Sequence, residues 1–292
     1  MVLKNYPPEG FLNEETICDF LVTTERKKIW AVEIDMVQEL LRVCKKYDLK
    51  IFMDGGSLMG TMRHQGFIPW DDDIDMVMFR EDYDKLCEVA PKEFTYPHFF
   101  QNIYTDDHYG HRHSQIRNVE TATWSSKYDK PCRKSCEGIF VDVFVYDGLP
   151  SDPRGLVHHY RKVRRAQRNL KFVSKILYHL PDGLYHWLRD HTTCLSDKAQ
   201  FRKFEEILRS VPAKKSAFCN QLCVRRDNKM KFTRNMGEQH WVPFHYIEVP
   251  IPEDYDSQLT VQYGDWRTPV RSAAFHGALK FDPENSYKKL RK

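Results

Sequence analysis

The sequence predicts an α+β protein in which helices and short strands alternate before a longer helical segment. Residues 27–47 carry apolar side chains at three- and four-residue steps, which is typical of an amphipathic helix. Residues 73–79 and 138–145 are short, mainly apolar runs, which indicates buried strands. From Pro153 onward the spacing is helical again, and the residues between the apolar positions are strongly basic.

The composition indicates a globular chain. With 292 residues, of which 41% are hydrophobic, the chain can bury one large core or two small ones. The formal net charge of +4 gives no argument for a nucleic-acid partner. Residues 1–30 lack the apolar core of a secretory signal, and no run of apolar residues is long enough to span a membrane. We therefore expect a cytoplasmic protein.

The first strand and the helix after it are predicted from local residue choice. Residues 49–53 form a short apolar run that ends in a turn of two glycines at residues 54–57. A helix can begin at Ser57 and continue to His64. Two glycines let the backbone approach a ligand closely, and the first amide groups of a helix can bind phosphate. The same turn is also an ordinary corner between a strand and a helix.

The later elements are predicted in the same way. A helix is expected over residues 81–89, short strands around 113–118, and helices over 156–177 and 197–210, with loops and strands from residue 221. We divide the chain into a leader, a core, a basic helical region and a segment packed on the core, at residues 1–24, 25–150, 151–212 and 213–292.

Four aspartates, Asp71, Asp72, Asp73 and Asp75, stand before an apolar strand. If the strand begins early, Asp71, Asp73 and Asp75 share one face, because alternate residues lie roughly 6.5–7 Å apart on the same side. Nothing basic lies among them, and a divalent cation such as Mg²⁺ or Mn²⁺ is the usual remedy for such repulsion. Asp72 is expected to point away. A solvated loop of aspartates is the competing interpretation.

Asp142 is the polar residue of an otherwise apolar strand. A lone buried aspartate costs several kcal/mol unless it is paired or bound to a metal. It is therefore either a hydrogen-bonded core residue or a third carboxylate that joins Asp73 and Asp75 from a neighbouring strand.

The cysteines allow two interpretations. The pairs Cys132/Cys136 and Cys219/Cys223 could together offer four thiolates to zinc. The same spacing also places two cysteines on one helix face as small core residues. In a cytosolic chain we expect these thiols to be reduced rather than bridged.

A dense run of residues resembles the signature of the LicD family: Gly56-Ser57-Leu58-Met59-Gly60, Arg63-His64 and Gly66-Phe67-Ile68-Pro69-Trp70-Asp71-Asp72-Asp73-Ile74-Asp75. The resemblance resumes at Val141-Asp142-Val143-Phe144 and between Val242 and Trp266, and more loosely at Gln115-Ile116-Arg117. Proteins of this family are phosphocholine transferases, related to fukutin-related proteins, with the nucleotidyltransferase fold of DNA polymerase beta.

The resemblance implies a nucleotidyltransferase core with a mixed sheet flanked by helices, plus a helical insertion. It implies an enzyme that transfers a phospho-alcohol, typically phosphocholine from CDP-choline, to a hydroxyl of a cell-surface glycan or glycolipid precursor, as in lipopolysaccharide or teichoic acid synthesis. By the family pattern Asp73 and Asp75 bind Mg²⁺ or Mn²⁺, Asp142 completes the site and Asp71 is a further ligand. Such chemistry needs little beyond in-line positioning and charge neutralisation.

The nucleotide-activated donor is assigned further residues by the same resemblance. Gly56 and Ser57 would hold its phosphates, and Arg63, His64 and Arg117 are predicted phosphate contacts. Each of the last three can instead be an ordinary surface or structural side chain. Two other functions stay open: a nucleotidyltransferase that uses the same carboxylates, and a metal- or glycan-binding protein without turnover.

The basic helix has two explanations. Eight lysines and arginines between Arg154 and Lys175 surround a stripe of apolar residues. They can hold the protein peripherally to an anionic membrane at its inner face, or to an acidic glycan carrier. They can equally be an ordinary solvated face opposite a packed stripe.

Overall fold

The computed structural model describes residues 1–131, 133–224, 232–233, 238–269 and 279–291. A short hairpin of β1 (Glu15–Ile17) and β2 (Phe20–Val22) precedes the long helix α1 (Thr24–Lys46). Thr23 begins this helix, because its hydroxyl accepts a hydrogen bond from the amide of Arg26. The predicted helix over 27–47 is thereby confirmed within a few residues.

The central part of the chain alternates strands and helices. Its elements are β3 (Ile51–Met53), α2 (Gly55–His64), β4 (Asp75–Phe79), α3 (Arg80–Glu93), β5 (His98–Gln101), β6 (Ser114–Asn118), β7 (Ala122–Ser125) and β8 (Ile139–Leu149). Strands β3, β4, β8, β6 and β5 are neighbours in that order. Only the β4–β8 pair is parallel among these, so the sheet is mixed, as predicted.

The two faces of the sheet have different roles. Met76, Met78 and Val143 pack into the main hydrophobic cluster together with residues of α1, including the fully buried Trp30. Because side chains alternate along a strand, residues between these positions face the other side of the sheet. Asp75 and Asp142 are on that second face.

Two predicted boundaries are wrong. Helix α2 begins at Gly55, two residues before Ser57, because Asp54 is already extended and acts as the N-cap. Strand β4 begins at Asp75, since the hydroxyl of Ser57 accepts the hydrogen bond of the Asp75 amide at 2.9 Å. Asp71 and Asp73 therefore lie in a loop and not on the face of a strand.

Three helices follow the sheet: α4 (Pro153–Tyr178), α5 (Asp182–His191) and α6 (Asp197–Arg209). The first and third match the predictions, whereas α5 was not predicted. Tyr160, Val163 and Leu170 of α4 and Phe204 and Leu208 of α6 share a second hydrophobic cluster. Among the described residues no helix is both long and apolar enough to span a bilayer.

The last part of the chain adds elements to the core. They are β9 (Phe218–Asn220), β10 (Phe232–Thr233), β11 (Gln239–Phe244), β12 (Ile247–Pro252), α7 (Tyr255–Tyr263), β13 (Leu279–Asp282) and α8 (Tyr287–Arg291), with a 3₁₀ turn at Ala213–Lys215. Strand β9 pairs with the end of β8, and β13 pairs with β7. The prediction of loops and strands missed α7, whose Leu259 is fully buried in the main cluster.

The described cysteines favour ordinary thiols over zinc. Cys136, Cys219 and Cys223 are buried in three different hydrophobic clusters and form no disulfide. Burial raises the pKa of the Cys223 thiol to about 12, which disfavours the thiolate that zinc requires. Cys132 lies outside the described residues.

Candidate active site

The loop that carries the aspartates is fixed between α1 and α2. The carbonyl of Asp71 accepts hydrogen bonds from the guanidinium of Arg26 at 2.7 Å and from the indole of Trp30 at 3.1 Å. On the other side, the hydroxyl of Ser57 bonds the Asp75 amide. The hydroxyl of Ser57 thus orders the aspartate loop, and the phosphate contact of Gly56 and Ser57 stays a prediction.

The carboxylates converge beside this loop. One oxygen each of Asp71, Asp72 and Asp73 can be chosen so that all three lie within 4.8 Å of one another, the one group of this kind among the described residues. The expectation that Asp72 points away is therefore wrong, because a short loop rather than a strand holds the three residues and no alternation separates them. Asp75 follows, and it lies opposite Asp142 in the parallel β4–β8 register.

The N-terminus of α2 approaches these carboxylates closely. A methyl group on Gly56 would stand 3.1 Å from Oδ2 of Asp71, and one on Gly55 would stand 3.4 Å from Oδ2 of Asp75. Gly55 also has a φ of +56°, which side chains rarely adopt. The two glycines therefore make room for the carboxylates at a helix end whose amides favour anions.

The electrostatics show that the carboxylates of the cluster repel one another. Burial, reinforced by Asp73 and Asp142, raises the pKa of Asp75 well above its usual range. Burial and the neighbouring Asp73 raise the pKa of Asp71 to about 7. Glu33 of α1 is affected likewise, since burial and then Asp73 raise its pKa strongly. An all-oxygen donor set of mutually repelling carboxylates fits a hard divalent cation such as Mg²⁺ or Mn²⁺.

Asp142 combines both of its predicted roles. Its Oδ1 lies 2.8 Å from the ring nitrogen of His113 and accepts a hydrogen bond from the amide of Gln115 at 2.7 Å. Burial alone would raise the pKa of Asp142, but His113 outweighs it and the net pKa is lowered. Asp142 is thus a hydrogen-bonded core residue that also stands next to Asp75.

Sequence reasoning missed three residues of this site. His113 and Gln115 form hydrogen bonds with Asp142. Their spacing of two residues on a predicted strand was a signal that both lie on one face of that strand. Asp54 lies below the glycine turn, where its carboxylate accepts hydrogen bonds from Tyr146 at 2.9 Å and from the amide of Gln221. Its position directly before two glycines was the signal for a helix cap.

The structure separates the three predicted phosphate contacts into two groups, one far from the carboxylates and one near them. Arg63 and His64 lie in the last turn of α2, about 12 Å along the helix from Gly55. Arg63 donates to the carbonyl of Thr268 at 2.9 Å. The structure therefore does not bring these two to the carboxylates. Arg117 lies on the same face of the sheet as the carboxylates, because its guanidinium donates to Gln115, which in turn donates to Asp142.

The site is therefore a set of clustered carboxylates beside a glycine turn, on one face of the mixed sheet of an α+β protein. The sequence model described as "LicD/FKTN/FKRP, nucleotidyltransferase domain" matches residues 48–181. The lipopolysaccharide cholinephosphotransferase LicD of Haemophilus influenzae is 35% identical over 228 residues, which cover 77% of this chain and 69% of that protein. The chain belongs to the LicD family, and the predicted resemblance is confirmed.

Two further relatives are similar over shorter segments. An uncharacterised protein of Rickettsia prowazekii is 33% identical over 39% of this chain and 36% of its own length. One of Rickettsia typhi is 32% identical over 40% of this chain and 33% of its own length.

Proposed function

We propose that this LicD-family enzyme is a metal-dependent phosphotransferase that moves phosphocholine from CDP-choline to a hydroxyl of a cell-surface glycan or its precursor. The observation that carries the proposal is the pairing of Asp75 with Asp142 beside the cluster of Asp71 and Asp73. The transferred group follows the name of the Haemophilus relative. The core would have the nucleotidyltransferase fold, with the carboxylates on its sheet.

The residues have distinct roles in this proposal. Asp71, Asp73, Asp75 and Asp142 would hold Mg²⁺ or Mn²⁺, which supplies neutralisation of the donor phosphates when bound. The backbone amides at Gly55 and Gly56 bind the donor phosphate from the end of α2.

Asp142 accepts a hydrogen bond from the acceptor hydroxyl and orients it for in-line attack on the choline-bearing phosphorus. The new bond between phosphorus and the acceptor oxygen forms as the bond to CMP breaks. CMP leaves, and the hydroxyl proton departs through Asp142, which His113 holds in place.

The test uses purified protein with CDP-choline, Mg²⁺ and a glycan acceptor. We expect CMP release coupled to labelled choline phosphate in the glycan. Asp73→Asn should abolish both, whereas Asp129→Asn, at an exposed residue between β7 and β8, should change neither. Incorporation of labelled nucleotide would support the alternative, a nucleotidyltransferase. Undiminished transfer by Asp73→Asn would refute the role of this cluster.

We also propose that α4 holds the enzyme peripherally at the inner, cytoplasmic face of an anionic membrane. The 26 residues of this helix contain no aspartate or glutamate. Arg161 and Arg168 are exposed at helical spacing on one face, and Phe172 and Val157 lie on the same side with 65% and 50% exposure. Exposed apolar side chains among arginines are typical of helices that lie on membranes.

A further inference from the structure

A cavity lies on the same side of the sheet as the carboxylates. Its volume is about 240 Å³, and the residues that define this "basic pocket" are His108, Tyr109, His111, Arg117, Arg133 and Lys134. That volume is smaller than the roughly 300–1,000 Å³ of sites for whole ligands, so the pocket fits one group of a larger molecule.

The basic pocket is lined by three cationic side chains. Arg117 is only 3% exposed, and its guanidinium donates to Gln101, Gln115 and the carbonyl of Gly138, all of them neutral. No described carboxylate forms a direct ion pair with it, and Asp142 acts on it only from beyond Gln115. Burial of a cation is costly and here lowers the pKa of Arg117, and an anion bound in the pocket would offset that cost.

The other two cations are at the exposed rim. Lys134 shares its charge with Asp182 at 2.6 Å. The side chain of Arg133 donates no hydrogen bond to any described residue, so its planar fork of N–H groups is free to bind. Arginine forks match the oxygens of a phosphate group, which favours phosphate as the ligand.

The basic pocket is adjacent to the proposed catalytic site. The ring of His111 lines the pocket and lies 5.1 Å from the ring of His113, which is bonded to Asp142. From the other direction, Arg117 is linked to Asp142 through Gln115. The ligand of the pocket is therefore close to whatever group Asp142 contacts.

The strand order separates the basic pocket from the donor side. Helix α2, which would bind the donor phosphates, follows β3, whereas Arg117 is on β6, and β4 and β8 lie between. In-line transfer requires the attacking and leaving groups to lie on opposite sides of the phosphorus. A pocket across the Asp75–Asp142 pair from α2 is thus on the acceptor side.

We propose that the basic pocket binds a phosphate group carried by the glycan acceptor, next to the hydroxyl that receives the new phospho group. This assignment rests on the proposed function for the identity of the acceptor, but phosphate binding itself does not. Arg117 is a buried structural residue as well, so the exposed Arg133 is the residue to change.

In the first experiment, inorganic phosphate is titrated into the whole chain in EDTA at constant ionic strength. Calorimetry measures the affinity for phosphate. Without a cation the carboxylates repel phosphate, so binding reports basic sites alone. Arg133→Ala should weaken the affinity about tenfold. Arg165→Ala, a matched change in the basic groove between α4 and α6, should leave it unchanged.

Equal affinities of wild type and Arg133→Ala, or no binding at all, would overturn the basic pocket as a phosphate site. Weakening by Arg165→Ala alone would move the site to the helical surface and also overturn it. This experiment tests phosphate binding by the basic pocket even if the protein transfers no phosphocholine.

The second experiment separates acceptor from donor phosphate by kinetics. With an acceptor that carries a phosphate, Arg133→Ala should raise the KM for the acceptor about tenfold and keep that for CDP-choline within about twofold. Removing the phosphate from the acceptor should erase the difference between variant and wild type. A higher KM for CDP-choline alone would place donor phosphates in the pocket and refute the acceptor assignment.

Discussion

The carboxylate cluster and helix α4 both concentrate charge of one sign, but in opposite surroundings. The aspartates around β4 are buried or half-buried, and the pKa of Asp71 and of Asp75 is raised. The arginines of α4 are exposed to solvent. Water screens like charges at a surface, whereas a desolvated cluster keeps its repulsion.

The difference indicates what each region needs from outside the chain. Under the proposed function, a bound cation would let the carboxylates ionise together at neutral pH. The basic helix is already stable in water, because its buried stripe packs on α6. An anionic surface is therefore an optional partner for α4 and not a condition for its folding.

The largest effect should come from Asp75→Asn. It removes a proposed ligand and should lower phosphocholine transfer about 10³-fold. The same change relieves repulsion, so the melting temperature in EDTA should rise. Steady-state kinetics and calorimetry on one preparation measure both. Activity within tenfold of wild type, or a lower melting temperature, would contradict this account.

The next effect concerns membrane binding by α4. Arg161→Glu combined with Arg168→Glu should reduce affinity for vesicles containing phosphatidylglycerol at least tenfold, since each basic residue near the surface contributes about 1 kcal/mol. Transfer to a soluble acceptor should not change. Cosedimentation measures the affinity, and Lys45→Glu with Lys92→Glu, two exposed lysines of other helices, is the matched control. Equal loss in both double variants would show a general charge effect.

A smaller effect is expected in the pH dependence of stability. A carboxyl whose pKa is raised in the folded state binds protons more tightly there than in the unfolded chain. Its contribution is therefore present below an ordinary pKa of 3.8 and is lost as pH rises through about 7, the value for Asp71. In EDTA the melting temperature should fall by several degrees from pH 5 to pH 8.

Mg²⁺ should reverse most of that loss, with a stabilisation that is larger at pH 8 than at pH 5. Asp75→Asn is the control, because it should flatten the EDTA profile. A Mg²⁺ effect that is equal at both pH values would be inconsistent with binding to these carboxylates.

The smallest effect is expected at the glycine turn. Gly55→Ala should lower the free energy of unfolding by about 1–2 kcal/mol, because its φ of +56° is unfavourable for alanine. Gly183→Ala, in α5 with open space around it, should instead stabilise by about 0.5 kcal/mol. Urea denaturation compares the two. Equal effects would mean that backbone conformation is not what Gly55 supplies.

The sequence best predicts the strands and helices whose apolar residues follow a single regular periodicity. Strand β8 and the alternation of Met76 and Met78 with Asp75 were readable because apolar residues recur every second position. The adjacency of Asp142 to Asp75 rested on the family resemblance as well. Family membership came from a dense motif, and the comparisons bear it out.

Other features depended on contacts between distant residues. The inward position of Asp72 depends on how Arg26 and Trp30 bind the carbonyl of Asp71, which no local pattern contains. Helix α7 was missed because its apolar residues have little helical spacing, and Leu259 alone anchors it deeply. The contact of His113 with Asp142 depends on the pairing of β6 with β8, which the local sequence around His113 does not reveal.

The hydrogen bonds to Asp54 have a consequence for biosynthesis. Gln262 donates to its carboxylate at 3.4 Å from 208 residues further along the chain, and Gln221 donates from 167 residues further. A ribosome must therefore synthesise the chain beyond Gln262 before Asp54 can have both of these partners. By then β3, α2 and β4, the elements on either side of the glycine turn and the aspartate loop, have long been synthesised.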